Sequence, residues 1–295
     1  MLCAFLFSAN GKRPDPEQIK SSAQLLEHAV GNSLCFSDVM IRPAACCLSM
    51  SDDAETLLAN SIANYQMIKK NYGLVNAKYP SLSGLIMELI NRPGVQEEKA
   101  ARSKDIYDRL KSRYTLEWNG VYSVLTMLLA YSEKSIEEIL EEAEKISEAL
   151  KPVADKTTRL LTALFLTYFD QPAAEKTEKL CALYQLLADH KPKFPHRTEL
   201  LILAAITMFG DAPKTAAANI LDVFDELGER NGYKGFLAIY DATTRLEHAA
   251  LIVMAAYLAE GRCGHGMYVP TLTAAFLPIM HDYDRTTAVI MAGNG

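Results

Sequence analysis

A repeat of about 40 residues runs through most of this 295-residue chain and constrains its fold more than any other feature. An apolar run, a short polar break and an amphipathic run follow one another several times. The breaks recur at steps of 40, 41, 38 and 41 residues, at Ser51, Asn91, Ser132, Asp170 and Asp211. The large central residues of the amphipathic runs recur at steps of 42, 39, 38 and 40, at Tyr65, Tyr107, Ile146, Tyr184 and Phe224. A fixed period of this length is typical of stacked helical repeats.

Each repeat is predicted to be a pair of helices. The second helix has one apolar face, as at Leu180, Leu183, Tyr184 and Leu187. The first, as in LLTALFLTYF and LLILAAITMF, is apolar nearly all round and must be covered on several sides. Stacked hairpins provide this cover, because each buries its flanks against its neighbours. We therefore expect Tyr184, like its equivalents, to point into the core.

The polar breaks are predicted to be tight turns between helices. Asp170 and Ser132 are suited to cap the next helix, and Pro172 and Pro213 suit a first helical turn. The acidic stretch Ser51–Glu55 is interpreted in the same way. A metal or diphosphate site is disfavoured there, because its carboxylates lack the i, i+4 spacing that places side chains on one helix face.

The predicted fold is therefore an all-α right-handed α-solenoid, or α-α superhelix, of about six hairpins with a period near 40 residues. We expect one helical-repeat domain over residues 1–295. Its hairpins are placed approximately at 1–31, 41–73, 80–115, 121–151, 158–190 and 197–231, with an irregular C-terminal cap at 236–295. Strand signal is almost absent, since GMYVPTL is short and is interrupted by Pro270.

Composition favours a cytoplasmic protein that binds neither nucleic acid nor membrane. The net charge of −6 argues against a nucleic-acid-binding protein. No run reaches the roughly 18 apolar residues of a membrane span. The start, MLCAFLFSANGK, lacks the basic region and cleavage site of a signal peptide. Four of the six cysteines lie in apolar helical runs, which favours reduced thiols: Cys3, Cys46, Cys47 and Cys181.

Three stretches carry a resemblance to a known family. They are the recurring IYDRLKS, LYQLLAD and VFDELGE motifs, the SDVMIRPAACCLSM stretch and the ADKTTRLLTALFL lead-in. Through them the chain resembles a family of bacterial all-helical repeat proteins designated only as a domain of unknown function. The resemblance covers most of the chain and implies no activity, substrate or catalytic residue. It also implies a further helix before Met1, so we expect either a fragment or an open-ended first unit.

Eight arginine and aromatic residues form the candidate binding groove. Arginines recur in the lead-in to several apolar helices, and equivalent positions of a solenoid line one rim. Together with aromatic residues they give the composition favoured at binding hot spots. The predicted groove residues are Arg42, Tyr79, Trp118, Tyr122, Arg159, Arg197, Tyr240 and Arg245. The structural alternative is that their apolar stems cover the hairpin edges.

A second, weaker candidate lies in the glycine-rich stretch EGRCGHGMYVP. Cys263 and His265, with His281 or His248, are a weak alternative for three metal ligands. The paired spacing typical of zinc sites is absent, and a glycine-rich loop after a helix is the simpler interpretation. The sequence contains no nucleophile-elbow motif and no phosphate-binding glycine loop. We therefore predict no catalytic residue and no cofactor.

Two hypotheses about function follow. The first is a non-enzymatic cytoplasmic helical-repeat protein that binds a peptide or protein partner, an argument by analogy of architecture. The alternative is an enzyme or small-molecule binder with a polar pocket near the loop of Cys263 and His265. A third possibility, a nucleic-acid-binding helical repeat, requires a basic face that nothing in the sequence indicates.

Overall fold

All regular structure in the described part of the chain is helical, which confirms the predicted all-α class. The computed structural model describes residues 1–30, 35–36, 40–73, 78–90, 94–114, 120–194, 197–234, 238–262 and 265–293. Side chains are described for the same residues except 78, 265 and 281–293.

Fourteen α-helices lie in these ranges. The first seven are α1 (Leu2–Ala9), α2 (Pro16–Val30), α3 (Ile41–Ser49), α4 (Ala54–Tyr72), α5 (Lys78–Ile90), α6 (Gln96–Arg113) and α7 (Val121–Ala130). The others are α8 (Ile136–Ala149), α9 (Lys156–Thr167), α10 (Ala173–Ala188), α11 (Leu200–Thr207), α12 (Pro213–Gly228), α13 (Ala242–Ala259) and α14 (Tyr268–Gly293). A one-turn 3-10 helix, His265–Met267, precedes α14.

Contacts group the chain into two compact units. The N-terminal unit consists of Lys12–Glu138 with Leu2–Phe7 and the chain from Ile279 onward. The C-terminal unit consists of Ile139–Pro278 with Ser8–Gly11 and Met1. The expectation of one domain over the whole chain stays a prediction.

Helices two places apart in the chain pack against each other within each unit. In the N-terminal unit, α4 contacts both α2 and α6, and α5 contacts α7. In the C-terminal unit, α11 contacts both α9 and α13, and α10 contacts α12. Many neighbours in the chain also pack together, including α4 with α5 and α12 with α13. Apolar helices such as α7 and α11 are therefore covered from several directions.

Burial follows the two kinds of helix that the sequence predicts. Every residue of α7 and every residue of α11 is buried, as expected for helices without a polar stripe. Helix α8 instead buries one face, formed by Ile139, Ala143, Ile146 and Ser147. Its glutamates mostly lie toward solvent. The alternation of fully buried and half-buried helices thus reproduces the alternation of apolar and amphipathic runs.

The predicted repeat register is right for four of the five central positions and wrong for Tyr184. The four buried residues are Tyr65, Tyr107, Ile146 and Phe224. Tyr184 is half-exposed, and the fully buried stripe of α10 is formed by Leu180, Leu183 and Leu187. These leucines are spaced by three and four residues, so they define a narrow face, and Tyr184 lies on its flank.

Two of the predicted helix caps are wrong. Ser135, not Ser132, caps α8: its Oγ accepts a hydrogen bond from the Glu138 backbone N–H at 3.2 Å. The Glu138 carboxylate in turn accepts from the Ser135 N–H at 2.7 Å, which completes a reciprocal capping pair. The Ser132 hydroxyl donates to the Leu129 carbonyl at the end of α7. Asp170 does not cap either, because Pro172 occupies the N-cap position of α10.

Two other turn predictions are confirmed. Pro213 is the first residue of α12, where its missing N–H costs nothing. In the acidic stretch after α3, the Asp53 carboxylate accepts from the Thr56 N–H at 3.0 Å and caps α4. This bond to the N–H lowers the pKa of Asp53. The stretch therefore begins a helix.

Basic side chains bind the turns that follow several apolar helices. Lys12 Nζ donates to the Met50 carbonyl after α3 at 2.7 Å. Arg102 Nη2 donates to the Ser132 carbonyl after α7 at 3.3 Å, and also to the carbonyl of Lys134. The last carbonyls of a helix have no partner within it, and a cation there interacts favourably with the helix dipole. These side chains therefore complete turns whose helices are buried.

Lys176 in α10 is the most deeply buried of these cations, with no exposed surface. Its Nζ donates to the carbonyls of Leu166 and Phe169 at the end of α9, both at 2.8 Å. It also donates to Glu142 Oε1 of α8 at 2.5 Å. A buried charge is tolerated only when it is paired and hydrogen-bonded. The ammonium satisfies this condition and joins three helices.

Gly84 allows α4 and α5 to approach closely. A Cβ at this position would lie 2.7 Å from the Ser61 carbonyl oxygen and 2.9 Å from the Tyr65 backbone nitrogen. The Asn64 side chain also donates to the Gly84 carbonyl at 3.4 Å. Since both clashes would involve backbone atoms of α4, no side-chain rotation can relieve them.

Replacing Lys176 by Met should lower the free energy of unfolding by about 3–5 kcal/mol, because it removes the buried ammonium that binds Glu142 and two carbonyls. The matched control is Lys179→Met in the same helix, whose ammonium pairs with Glu175 near the surface. That change should cost less than about 1 kcal/mol. Urea denaturation measures both. Equal midpoints for the two variants would contradict the assignment of Lys176 as a structural tie.

Shortening single side chains of α10 to alanine should destabilise the protein more at the buried stripe than at its flank. Leu183→Ala should cost about 2–5 kcal/mol, the range for removing a buried leucine. Tyr184→Ala should cost less, because the ring is half-exposed and leaves a smaller cavity. Urea midpoints of the two variants, measured side by side, check the order. If Tyr184→Ala were the more damaging change, the tyrosine would belong to the core after all.

Candidate functional site

Three aromatic rings meet near the start of α13 in the C-terminal unit. Ring centroids are 5.0 Å apart for Tyr233 and Tyr240, 5.0 Å for Tyr240 and His248, and 5.8 Å for Tyr233 and His248. We call these three residues the Tyr233–His248 cluster. The Asp241 carboxylate accepts from the Thr244 N–H at 2.7 Å and caps α13. This cap fixes the start of the helix directly after Tyr240.

A short hydrogen bond connects two members of the cluster. The Tyr233 hydroxyl lies 2.6 Å from His248 Nδ1. Burial lowers the pKa of His248 to about 4, so the imidazole is neutral at pH 7. Burial also raises the pKa of Tyr233. The tautomer of the neutral ring sets which group donates, and both pKa shifts oppose transfer of the tyrosine proton to the histidine.

Arg245 lies beside the cluster and is held inside the protein surface. Its guanidinium carbon is 3.8 Å from the centroid of the Phe224 ring, a cation–π contact. The His190 ring meets the same phenylalanine edge-on, with centroids 5.4 Å apart. A Cβ at Gly228 would lie 2.5 Å from Arg245 Nη1, so the guanidinium also covers the α12 backbone. The guanidinium of Arg245 is therefore engaged with Phe224, and the site consists mainly of stacked aromatic rings.

The outer edge of the cluster exposes apolar surface. Ile239 is 79% exposed and its neighbour Tyr240 is 40% exposed. Among the described residues, the other exposed large hydrophobic side chains are Met1 and Leu186, at 37% each. Isolated exposed apolar residues are ordinary, whereas adjoining ones can mark an interaction site. We call Ile239 and Tyr240 the exposed pair.

Two of the predicted groove residues are core residues. Tyr79 in α5 and Tyr122 in α7 are 2% and 0% exposed. A Cβ at Gly120 would lie 2.6 Å from the Tyr79 ring, which shows how closely this ring packs on the start of α7. Including them in a binding groove was wrong, because a partner cannot reach them. Their aromatic rings fill the space between apolar helices.

The remaining groove residues lie at several places in the two units. Arg42 in α3 and Arg197, before α11, are exposed, and Arg159 in α9 is half-buried. Tyr240 belongs to the Tyr233–His248 cluster, and Arg245 stacks on Phe224. Trp118 lies outside the described residues. The groove as a binding surface stays a prediction, and within the C-terminal unit Tyr240 is its most accessible aromatic residue.

The alternative metal site cannot be built from the described side chains. Cys263 lies outside the described residues, as do the side chains of His265 and His281. The fourth candidate, His248, is hydrogen-bonded through Nδ1 to the Tyr233 hydroxyl. Within the described part of the chain, no group of three His, Cys, Asp or Glu side chains has the geometry to hold a metal ion.

Sequence analysis missed Tyr233 as a site residue. It lies in the stretch NGYKGF between α12 and α13, to which the sequence analysis assigned no role. The available signal was the density of aromatic residues around that link, with Tyr233 and Tyr240 on its two sides and His248 one helix turn beyond Arg245. Their contact depends on how α12 and α13 pack, which the repeat pattern alone does not specify.

The fold and this site define an all-helical protein with an aromatic cluster on the surface of its C-terminal unit. The chain belongs to the DUF4003 family, described as a protein of unknown function, whose model matches residues 1–280. This assignment confirms the resemblance inferred from the sequence motifs. Neither a curated protein nor a solved structure gives a significant match. None of the described helices combines the length and apolar character needed to cross a membrane.

The imidazole of His248 should titrate near 4 when its ring resonances are followed by NMR. Tyr233→Phe removes the hydroxyl that is hydrogen-bonded to the ring and should change the pKa of His248, upward when the hydroxyl donates to Nδ1 and downward when Nδ1 donates. An unchanged titration in this variant would mean that the 2.6 Å contact contributes nothing to the protonation state.

The lowered pKa of His248 also predicts how the free energy of unfolding depends on pH. The folded-state pKa lies below the value of about 6.5 for free histidine, so the unfolded chain binds the extra proton. The contribution of His248 to stability should be fully present above pH 6.5 and should be lost as pH falls toward 4. The difference in unfolding free energy between wild type and His248→Gln isolates this effect from other groups. It should shrink between pH 7 and pH 4.5, and a constant difference would contradict the shift.

Proposed function

We propose that this protein is an α-solenoid of about six hairpins that serves as a non-enzymatic scaffold and binds a peptide or protein partner at the exposed pair, Ile239 and Tyr240. The observation that carries this proposal is the 79% exposure of Ile239 directly beside a partly exposed tyrosine that belongs to an aromatic cluster. The repeat gives the architecture, and the exposed pair gives the contact surface.

Two sets of contacts support stacked hairpins. Helices two places apart pack together within each unit, which is how successive hairpins of a solenoid meet. Side chains also connect successive hairpin turns. Lys12, in the turn after α1, binds the Met50 carbonyl in the turn after α3. Arg262, after α13, binds the Asp211 carboxylate in the turn after α11 at 2.7 Å.

The exposed pair has the properties of a binding contact. Water-exposed apolar surface is costly, and covering it with a partner recovers free energy in proportion to the area removed from water. Tyr240 is already positioned by Tyr233 and His248, so little side-chain freedom is lost when a partner binds. Tyrosine is among the residues that most often dominate binding free energy.

The surrounding charges favour a partner recognised by apolar side chains. Arg230 pairs with Glu226, and Lys234 pairs with Glu229 at 2.7 Å. Because these basic groups already have carboxylate partners, an acidic ligand would have to compete for them. The opposed pKa shifts of His248 and Tyr233 also favour a binding surface over acid–base catalysis. We therefore propose a peptide segment with an exposed aliphatic or aromatic residue.

The proposal places the protein in the cytoplasm and includes neither nucleic acid nor membrane as a partner. None of the five cysteines in the described part of the chain forms a disulfide, as expected in a reducing compartment. The net charge of −6 is consistent with a partner other than nucleic acid.

A displayed library of random peptides, selected on the purified full chain, tests the proposal. Selected peptides should share an apolar residue and should bind in calorimetry. Tyr240→Ala should weaken binding by about tenfold or more, the effect expected for a hot-spot residue. Ile239→Ser should also weaken binding. Because both residues are exposed, neither change should lower the urea midpoint appreciably.

Leu186→Ala is the matched control, since Leu186 in α10 is also an exposed apolar residue but lies outside the aromatic cluster. It should leave the affinity of selected peptides unchanged. Failure of the library to yield any binder, or equal affinities for wild type and Tyr240→Ala, would overturn the exposed pair as a binding surface.

A further inference from the structure

Three arginines of the C-terminal unit have no acidic partner. Arg159 is the fourth residue of α9, Arg245 is the fourth residue of α13, and Arg197 lies three residues before the first residue of α11. In the described part of the chain, no group accepts a hydrogen bond from their guanidinium groups and no carboxylate forms an ion pair with them. We call these three residues the arginine row.

The other arginines described in the same unit are paired. Arg230 forms an ion pair with Glu226, and Arg262 forms one with Asp211 at 2.7 Å. An arginine without a carboxylate partner is therefore a property of the row and not of arginines in this unit generally.

Several carboxylates near the row are engaged elsewhere or buried. Asp155 and Asp241 accept hydrogen bonds from backbone N–H groups and cap α9 and α13. Glu148 forms an ion pair with a lysine three residues further along the chain. Glu199 is only 4% exposed, whereas Arg197 is exposed. The guanidinium groups of the row thus keep their donors for an external acceptor.

Packing brings two members of the row to one end of the unit. Helix α11 contacts both α9 and α13. Asp211, after α11, pairs with Arg262, after α13, so the two helices end at the same place and run in the same direction. Arg197 and Arg245, near the starts of these helices, therefore lie at the opposite end together.

The start of α9 lies at that end as well. The short turn over 168–172 joins α9 and α10 into an antiparallel pair, so α10 ends beside the start of α9. His190, just after α10, meets the Phe224 ring at a centroid distance of 5.4 Å. The guanidinium carbon of Arg245 is 3.8 Å from the same centroid. Arg159 and Arg245 are thus on the same side of the unit.

Three lysines add to this positive end. Lys191 and Lys193 lie in the link between α10 and α11, and Lys156 is the first residue of α9. All three are exposed, and none forms an ion pair with a described residue. Because the chain as a whole has a net charge of −6, this end differs in sign from the rest of the protein.

Two arginines of the row are already partly positioned. The Arg245 guanidinium is held against Phe224, and Arg159 is half-buried. Binding would therefore restrict less side-chain freedom than at fully exposed cations. A guanidinium without a partner retains the planar fork of donors that matches a carboxylate.

We propose that the arginine row binds an acidic segment of a partner protein, as a second contact surface separate from the exposed pair. Packed helices lie about 8–10 Å apart, so the charges of the row recur at about that spacing. In a segment with polyproline II conformation, every third side chain lies on one face, about 9 Å further along. A segment with an acidic residue at every third position therefore matches the row.

Fluorescence anisotropy with the full chain and labelled synthetic peptides tests this proposal. One peptide carries glutamate at every third position, with alanine and proline between, and its control carries glutamine instead. Only the glutamate peptide should bind, and its affinity should fall as salt is raised, because exposed charges are screened. Arg159→Gln and Arg197→Gln should each weaken binding by about fivefold, the upper value for an exposed ion pair.

Arg230→Gln is the matched control, since it removes the same charge from an exposed arginine that is already paired with Glu226. It should leave the affinity of the glutamate peptide unchanged. Tyr240→Ala should also leave it unchanged, although the same variant weakens peptides selected at the exposed pair. Circular dichroism checks that each variant is folded, and Arg197→Gln alters only an exposed side chain.

Three results would overturn the proposal. They are equal binding of the glutamate and glutamine peptides, equal loss of affinity in Arg197→Gln and Arg230→Gln, and tighter binding of a single-stranded oligonucleotide than of the glutamate peptide. The last result would assign the row to nucleic acid. If the random library yields binders at the exposed pair while the glutamate peptide does not bind, the arginine row alone is refuted.

Discussion

A helix that is buried on every side still ends in carbonyl groups without intrahelical partners, and most of this structure depends on how those ends are satisfied. Helices such as α7 and α9 have no polar stripe, so their ends cannot be left to bulk water without exposing apolar side chains. At the end of α9, the Lys176 ammonium supplies the missing hydrogen-bond donor, and it binds two carbonyls and a carboxylate. Arg102 binds the turn that follows α7, through the carbonyls of Ser132 and Lys134.

The sequence predicted the repeat because apolar residues recur at regular spacing. The contacts in the turns depend on how the helices pack, which this spacing does not specify. The spacing of apolar residues predicted the helices of α10 and α12 and the burial of Tyr65 and Phe224. It misplaced Tyr184, because a residue on the flank of a stripe satisfies the same spacing as one at its centre. It also missed Lys176, since a lysine in an amphipathic helix ordinarily faces water, and only the ends of neighbouring helices give it a reason to be buried.

The same distinction separates what could and could not be predicted about the sites. Tyr240 was selected by residue type, and it belongs to the aromatic cluster, whereas Arg245 stacks on Phe224. Tyr79 and Tyr122 were selected by the same criterion, yet they fill the core, because aromatic residues suit both roles. The hydrogen bond between Tyr233 and His248 joins the segment after α12 to α13, and the sequence did not indicate that these two residues meet. Chemistry that depends on two side chains meeting required the tertiary structure.

Gly84 has a consequence for how this chain can change over time. Every amino-acid replacement at a glycine codon adds at least one carbon to the side chain, so no conservative step exists at this position. A Cβ there would lie 2.7 Å and 2.9 Å from backbone atoms of α4 that no rotation can move aside. Other buried positions can drift through a series of slightly larger or smaller side chains. Any substitution at Gly84 would therefore force α4 and α5 apart at once, without a smaller intermediate change. The distance between these two helices is expected to stay constant while other packing in the N-terminal unit varies.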